Sequence, residues 1–139
     1  MELDDITGAI VDAAIHIHRT LGPGLLESVY EGLLACELGR RGFRADRQLL
    51  IRFSYDGIDI GDAFRADLVV EECVIVEVKA QERLAPVHAR QVLTYLRLMN
   101  LRVGLLLNFG GETMREGVKR VVNNYTASSP SLLRVNQVR

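Results

Sequence analysis

The sequence is poor in cysteine, in basic excess and in long apolar runs, and each shortage removes a class of protein. Its two cysteines, Cys36 and Cys73, lie far apart and lack metal-ligand spacing. They form neither a disulfide framework nor a zinc site, and read as small buried hydrophobes in a reducing cytoplasm. Seventeen basic residues against eighteen acidic ones give a net charge of −1. A nucleic-acid binder often shows a clear basic excess, so any basic footprint here must be local. No apolar run approaches the length of a membrane span, and the acidic start MELDDITGAI has no signal-peptide pattern. A soluble, cytoplasmic protein without membrane contact is expected.

Other signatures are missing too. Gly22-Pro23-Gly24 lacks the Gly-Lys-Ser/Thr ending of a phosphate-binding loop. His16 and His18 stand two apart on a predicted helix and point in nearly opposite directions, so they are no zinc pair. His18 sits before the turn, where it either interacts with the helix dipole or reaches toward a site. Neither a Ser-His-Asp set nor a metalloprotease motif is present.

What is present suits a single domain. The 139 residues are 48% apolar and 25% charged, enough for one core with a sheet and a few helices. Ile6, Ile10, Ala14 and Ile17 predict a helix over residues 4–20, capped by Asp4 or Asp5 and stopped by Gly22-Pro23-Gly24. A second helix is expected over 25–41, with Tyr30, Leu34 and Leu38 on one stripe. The period then changes. Strands are expected over 44–55, 58–70 and 74–80, turning at Asp56-Gly57 and at 71–73. Pro86 opens a helix to Met99, and VGLLLNF follows as a buried strand. Residues 114–124 fit a helix or a strand. The helix between the third and fourth strands implies a right-handed crossover and a parallel pair, so the sheet is mixed. The expected architecture is α/β of the α+β type, with four strands flanked by helices. The domain covers residues 1–125, and 126–139 form a C-terminal tail.

The second and third strands carry the chemistry. In FRADLVV and VIVEVKA, even-numbered apolar residues alternate with Arg65, Asp67, Glu77 and Lys79. Burying one apolar face sends the even positions to one side, and the turn then sets Asp67 opposite Glu77. Lys79 follows on the same face, opposite Arg65. Two facing carboxylates repel, with Cβ atoms roughly 5 Å apart. A divalent cation such as Mg²⁺ or Mn²⁺ turns that cost into a binding site, with the Val78 carbonyl as a further ligand. Lys79 is placed to hold an attacking water or neutralise a phosphate. By spacing alone, a solvated sheet face neutralised by Lys79 and Arg65 is the simpler explanation.

The helices add candidates. Glu27 shares the stripe of Tyr30, Leu34 and Leu38, either turned toward a metal or serving as an acid in the first helical turn. Glu31 is one turn on, as a supporting acid or a surface residue. His88, Gln91 and Tyr95 line one side of the third helix, at the site's rim or as ordinary boundary residues.

Gly24-Leu-Leu-Glu27-Ser-Val-Tyr30 resembles the signature of the GxxExxY protein family, placed within the PD-(D/E)XK nuclease superfamily. AAIHIHRTLGPG, GDAFRADLVVE, VIVEVKA, PVHARQVLTYLR and VGLLLNFG resemble the same family, and the likeness covers about residues 3–124. It implies a restriction-endonuclease-like core and a nuclease triad of Asp67, Glu77 and Lys79. Glu27 matches the acid of the first core helix, and Gln91 with Tyr95 matches the Q-x-x-x-Y pattern of some exonuclease-like branches. Ala66 stands where the superfamily's name specifies Pro.

The leading expectation is therefore a metal-dependent nuclease acting on nucleic acid, DNA being the first candidate and RNA the other, with metal held by Asp67, Glu77, Val78 and Glu27. The alternative is a catalytically silent nucleic-acid-binding or regulatory module on the same scaffold. The small size also admits a homodimer or a partner protein that supplies recognition.

Overall fold

The computed structural model describes residues 1–124 and the backbone of a strand at 133–138. Two helices come first, α1 (Leu3–Leu21) and α2 (Glu27–Arg40). The Asp5 carboxylate accepts the Glu2 N–H at 3.2 Å at the start of α1. Strands β1 (Ala45–Tyr55), β2 (Ile58–Val70) and β3 (Val74–Lys79) form an antiparallel meander. Helix α3 (Pro86–Met99) crosses over to β4 (Val103–Asn108), which lies parallel to β3. A single helical turn, α4 (Met114–Gly117), leads into β5 (Val118–Val122), antiparallel to β4.

The sheet departs from expectation in strand number. Residues 1–124 supply five strands rather than four, in the order β5-β4-β3-β2-β1, and β6 (Leu133–Val138) pairs with the outer edge of β1. The fifth strand resolves the ambiguity at 114–124. Gly117 passes so close to β4 that a Cβ there would collide with the Asn108 carbonyl. The chain can therefore turn tightly out of α4 and lay its valines along the β4 edge. Of the tail expected at 126–139, only the backbone of β6 falls within the described residues.

Both faces of the sheet are covered. Leu68, Val70, Val74, Val76 and Val78 pack with Ile10, Ile17, Tyr30 and Leu34 beneath α1 and α2. Ala66, Val69, Ile75 and Leu106 pack with Val92, Leu96 and Met99 beneath α3. The result is three layers, helix–sheet–helix. Helices flank the sheet as expected, and the reading of a solvated sheet face is excluded where α3 packs: odd-numbered Val69 and Ile75 are as buried as their even-numbered neighbours.

The alternation is also interrupted at Gln48. The pair Arg47–Leu68 is followed on the ladder by Leu49–Ala66, and the rung between them, Gln48 opposite Asp67, is not formed. Gln48 lies in the left-handed region at φ 50°. Leu68 faces the α1/α2 layer, whereas Leu49 and Ala66 both face α3. Both strands therefore roll over together at Gln48 and Asp67.

Among the described residues no helix is long and apolar enough to cross a membrane. Both cysteines are free. Neither is fully buried, since Cys36 is exposed and Cys73 half-buried.

Candidate active site

The loop before α2 sets one wall. Gly24 adopts φ 114°, a conformation that side chains disfavour. The Tyr30 hydroxyl donates to the Gly22 carbonyl at 2.6 Å and accepts the Leu25 N–H at 3.2 Å. Its ring stacks on Phe109 at 4.5 Å between centroids. Tyr30 thus ties the loop to the core and fixes where α2 begins. At that start Glu27, itself exposed, accepts the Ala80 N–H at 3.1 Å, one residue beyond Lys79.

The floor is where β2 and β3 part. Their paired register ends at Leu68–Val76. Beyond it side chains take over from the backbone. Glu77 Oε2 accepts the Asp67 N–H at 2.8 Å, and Asp67 Oδ2 accepts the Val78 N–H at 2.9 Å. Asp67 and Glu77 are thus brought together as expected, in a crevice that buries Glu77 and leaves Asp67 half-buried. Glu77 is only 4% exposed. The Val78 N–H points toward β2, and in a strand the carbonyl of the same residue points the same way. The Lys79 carbonyl faces the other side and accepts the Phe109 N–H at 2.7 Å.

Crowding two acids here disfavours their charges. Burial first, and the Asp67 charge second, push the Glu77 carboxyl up to about 8. Burial also raises Asp67, against the opposing help of the Val78 N–H and the Lys79 charge. The half-buried Lys79 lies near enough for its charge to favour both carboxylates. Tyr95 is raised by burial and then by Glu77 and Asp67, which places its hydroxyl beside the pair. A hydrogen bond joins it to the exposed Gln91. The Tyr95 ring lies flat on Phe64 of β2, 3.7 Å between centroids with 2° between planes.

Two residues that sequence reasoning passed over or left open complete the floor. Glu31 is buried, 5% exposed, and accepts two bonds from the Arg47 guanidinium, at 3.1 and 3.2 Å. Gln48 was missed. Its Nε2 donates to Glu31 Oε1 at 2.6 Å and reaches Asp67 Oδ1 at 3.4 Å. The signal was the polar run Asp46-Arg47-Gln48 inside a strand, which breaks the two-residue alternation. Asn108 was also missed: its side chain pairs with both backbone groups of Gln81.

The expected histidines lie apart from this crevice. His18 is buried and its Nε2 donates to the Gly111 carbonyl at 2.9 Å. His88 Nδ1 accepts the Ala85 N–H at the start of α3. No pairing of Arg65 with Lys79 occurs along the ladder, because β2 and β3 have separated before that rung.

The chemistry of the donors suits a hard divalent cation: two carboxylates, one raised far above its ordinary value by burial and by its neighbour's charge, and a strand carbonyl aimed at the same crevice. Among the described residues no group of three or more His, Cys, Asp or Glu side chains is placed to hold a metal ion. Two acids leave most of a coordination shell to water, a pattern familiar for Mg²⁺ and unlike a closed zinc site.

Neither curated proteins nor solved structures give a match to this chain. The profile described as PD-(D/E)XK nuclease superfamily does match, over residues 4–121. That span runs from the first turn of α1 into β5 and includes every residue of the crevice, so the chain belongs to the PD-(D/E)XK nuclease superfamily.

Proposed function

We propose that this protein is a divalent-metal-dependent nuclease that hydrolyses phosphodiester bonds in DNA. The observation that carries the reading is the pairing of half-buried Asp67 with buried Glu77 at the parting of β2 and β3, with Lys79 beside it. A stable fold gains nothing from two like charges in one crevice, whereas a cation-binding site requires them. Membership of the superfamily supports the nuclease class, whose members generally use divalent metal ions.

Asp67, Glu77 and the Val78 carbonyl would hold Mg²⁺ or Mn²⁺, with Glu27 bearing on it through water. When bound, such an ion supplies Lewis acidity toward a phosphoryl oxygen and acidifies water. The protein's own groups do the rest. Lys79 projects its ammonium beside the acids, where it orients an attacking water and offsets charge gathering on the phosphate. Glu27, anchored on the Ala80 N–H, faces the same water from α2. Tyr95, braced by Phe64 and bonded to Gln91, lends a hydroxyl to the phosphate at the rim. The likeness of Gly24, Glu27 and Tyr30 to the GxxExxY signature fits this division of labour, since Gly24 and Tyr30 build the loop that presents Glu27.

Supercoiled and linear DNA incubated with Mn²⁺ or Mg²⁺ tests the reading. Nicking or degradation is expected, with loss of both in Lys79→Ala at unchanged circular dichroism. Equal cleavage by the variant would expose a contaminant. Metal and oligonucleotide binding without cleavage, across several substrates, would overturn the nuclease in favour of a silent binding module.

A further inference from the structure

The crevice has a second layer, built where the two long strands roll over. Glu31, Gln48 and Asp67 come from α2, β1 and β2, and one nitrogen joins them. Gln48 Nε2 carries two N–H groups; one meets Glu31 Oε1 at 2.6 Å and the other reaches Asp67 Oδ1 at 3.4 Å. Its orientation is not arbitrary, because an amide oxygen in that position would face two acceptors. Arg47, the preceding residue, holds the other Glu31 oxygen through Nε and Nη2. Adjacent strand residues normally point to opposite faces. Here Arg47 and Gln48 both reach one carboxylate, and the left-handed backbone of Gln48, at φ 50°, is what turns the second side chain back. A non-glycine residue held there in mid-strand is strained, and such strain persists only where the surroundings impose it.

We propose that Gln48 is a positioning residue for the metal centre: anchored by Glu31, it fixes the Asp67 carboxylate so that Oδ2 stays on the Val78 N–H and Oδ1 faces the crevice. The inference rests on the reading of Asp67 as a metal ligand, and it assigns a supporting network to that ligand. A neutral amide is the fitting link. It binds two acids at once, easing their mutual repulsion, and adds no charge that would compete with an incoming cation. An arginine in its place would draw Asp67 away from the ion, and a glutamate would add a third repelling charge.

Two variants separate the side chain from the strain. Gln48→Gly removes the amide and relieves the left-handed backbone, whereas Gln48→Met removes the amide and keeps the strain. In the full chain, amide hydrogen exchange followed by NMR reads Asp67 directly, because the Val78 N–H donates to its carboxylate. Both variants should exchange the Val78 amide at least about tenfold faster, with Val76 on the intact ladder unchanged. Both should also bind Mn²⁺ about 10–100-fold more weakly by calorimetry, the usual loss when a ligand's outer partner is removed. Unaltered Val78 exchange in both variants would overturn the proposal, as would a loss confined to Met, which would mean strain alone. Should the native protein fail to cleave DNA while Val78 still responds, the nuclease reading falls and the positioning role stands.

Discussion

Asp67 and Glu77 each spend one carboxylate oxygen on a backbone N–H, the Glu77 oxygen on Asp67 itself and the Asp67 oxygen on Val78. Each strand is thereby stitched to the other's side chain at the point where the backbone ladder stops. The remaining oxygens are left in a crevice rich in negative charge, and several consequences can be measured.

Stability should fall with rising pH in metal-free protein. Burial, and then the Asp67 charge, raise Glu77 from an ordinary 4.5 to about 8. Between those values the folded state binds more protons than the unfolded chain, so deprotonation favours unfolding. The contribution is fully present below about 4.5 and is lost as pH climbs through about 8. One such group gives a slope of up to about 1.4 kcal/mol per pH unit. Asp67, also raised, acts with the same sign. Thermal melts in chelator from pH 5 to 9 should show this decline. Added Mg²⁺ should restore more stability at pH 8.5 than at pH 5.5, since it competes with protons for the same oxygens.

Glu77→Gln should flatten that pH slope while keeping an oxygen for the Asp67 N–H. The metal-free variant should melt higher than the native protein at pH 8.5 and bind Mn²⁺ at least about tenfold more weakly. A variant with an unaltered slope would place the titrating group elsewhere.

Lys79→Ala should lower single-turnover DNA cleavage by about 10²–10⁴-fold. It should also move the Glu77 midpoint upward, because the lysine charge favours the ionised acid. Cleavage that recovers with a simple change of DNA concentration would point instead to a binding role for the ammonium.

Tyr30→Phe keeps the stack on Phe109 and loses the hydroxyl that serves Gly22 and Leu25. A cost of about 1–3 kcal/mol in chemical denaturation is expected. Exchange of the Ala80 amide should quicken, since Glu27 is set by the same loop. An unchanged Ala80 amide would separate the loop from the site.

The element order was legible because Ile6, Ile10 and Ile17 repeat at helical spacing and the β2–β3 hairpin alternates cleanly. The meeting of Asp67 with Glu77 followed from a short turn, a local constraint that sequence spacing captures. That helices flank the sheet was legible, but which odd-numbered residues they bury was not. Val69 and Ile75 are apolar at odd positions, yet a β-branched residue reads as strand whichever way it faces. The roll at Gln48 escaped because the polar run Asp46-Arg47-Gln48 breaks the alternation without marking which residue turns left-handed. The burial of Glu31 depends on Arg47, sixteen residues away, and such pairing is set by packing rather than by periodicity. The fifth strand hinged on how closely Gly117 approaches Asn108, a tertiary contact that propensity does not encode.

Asn108 gives Lys79 a particular mechanical character. Its side-chain amide takes the N–H and the carbonyl of Gln81 as a peptide group would. With the Lys79 carbonyl already bonded to Phe109, the chain on either side of the lysine is braced against β4. The root of the side chain is held, and four methylenes separate it from the ammonium. An ammonium on such a tether can change its place in the crevice without any movement of the sheet that bears it.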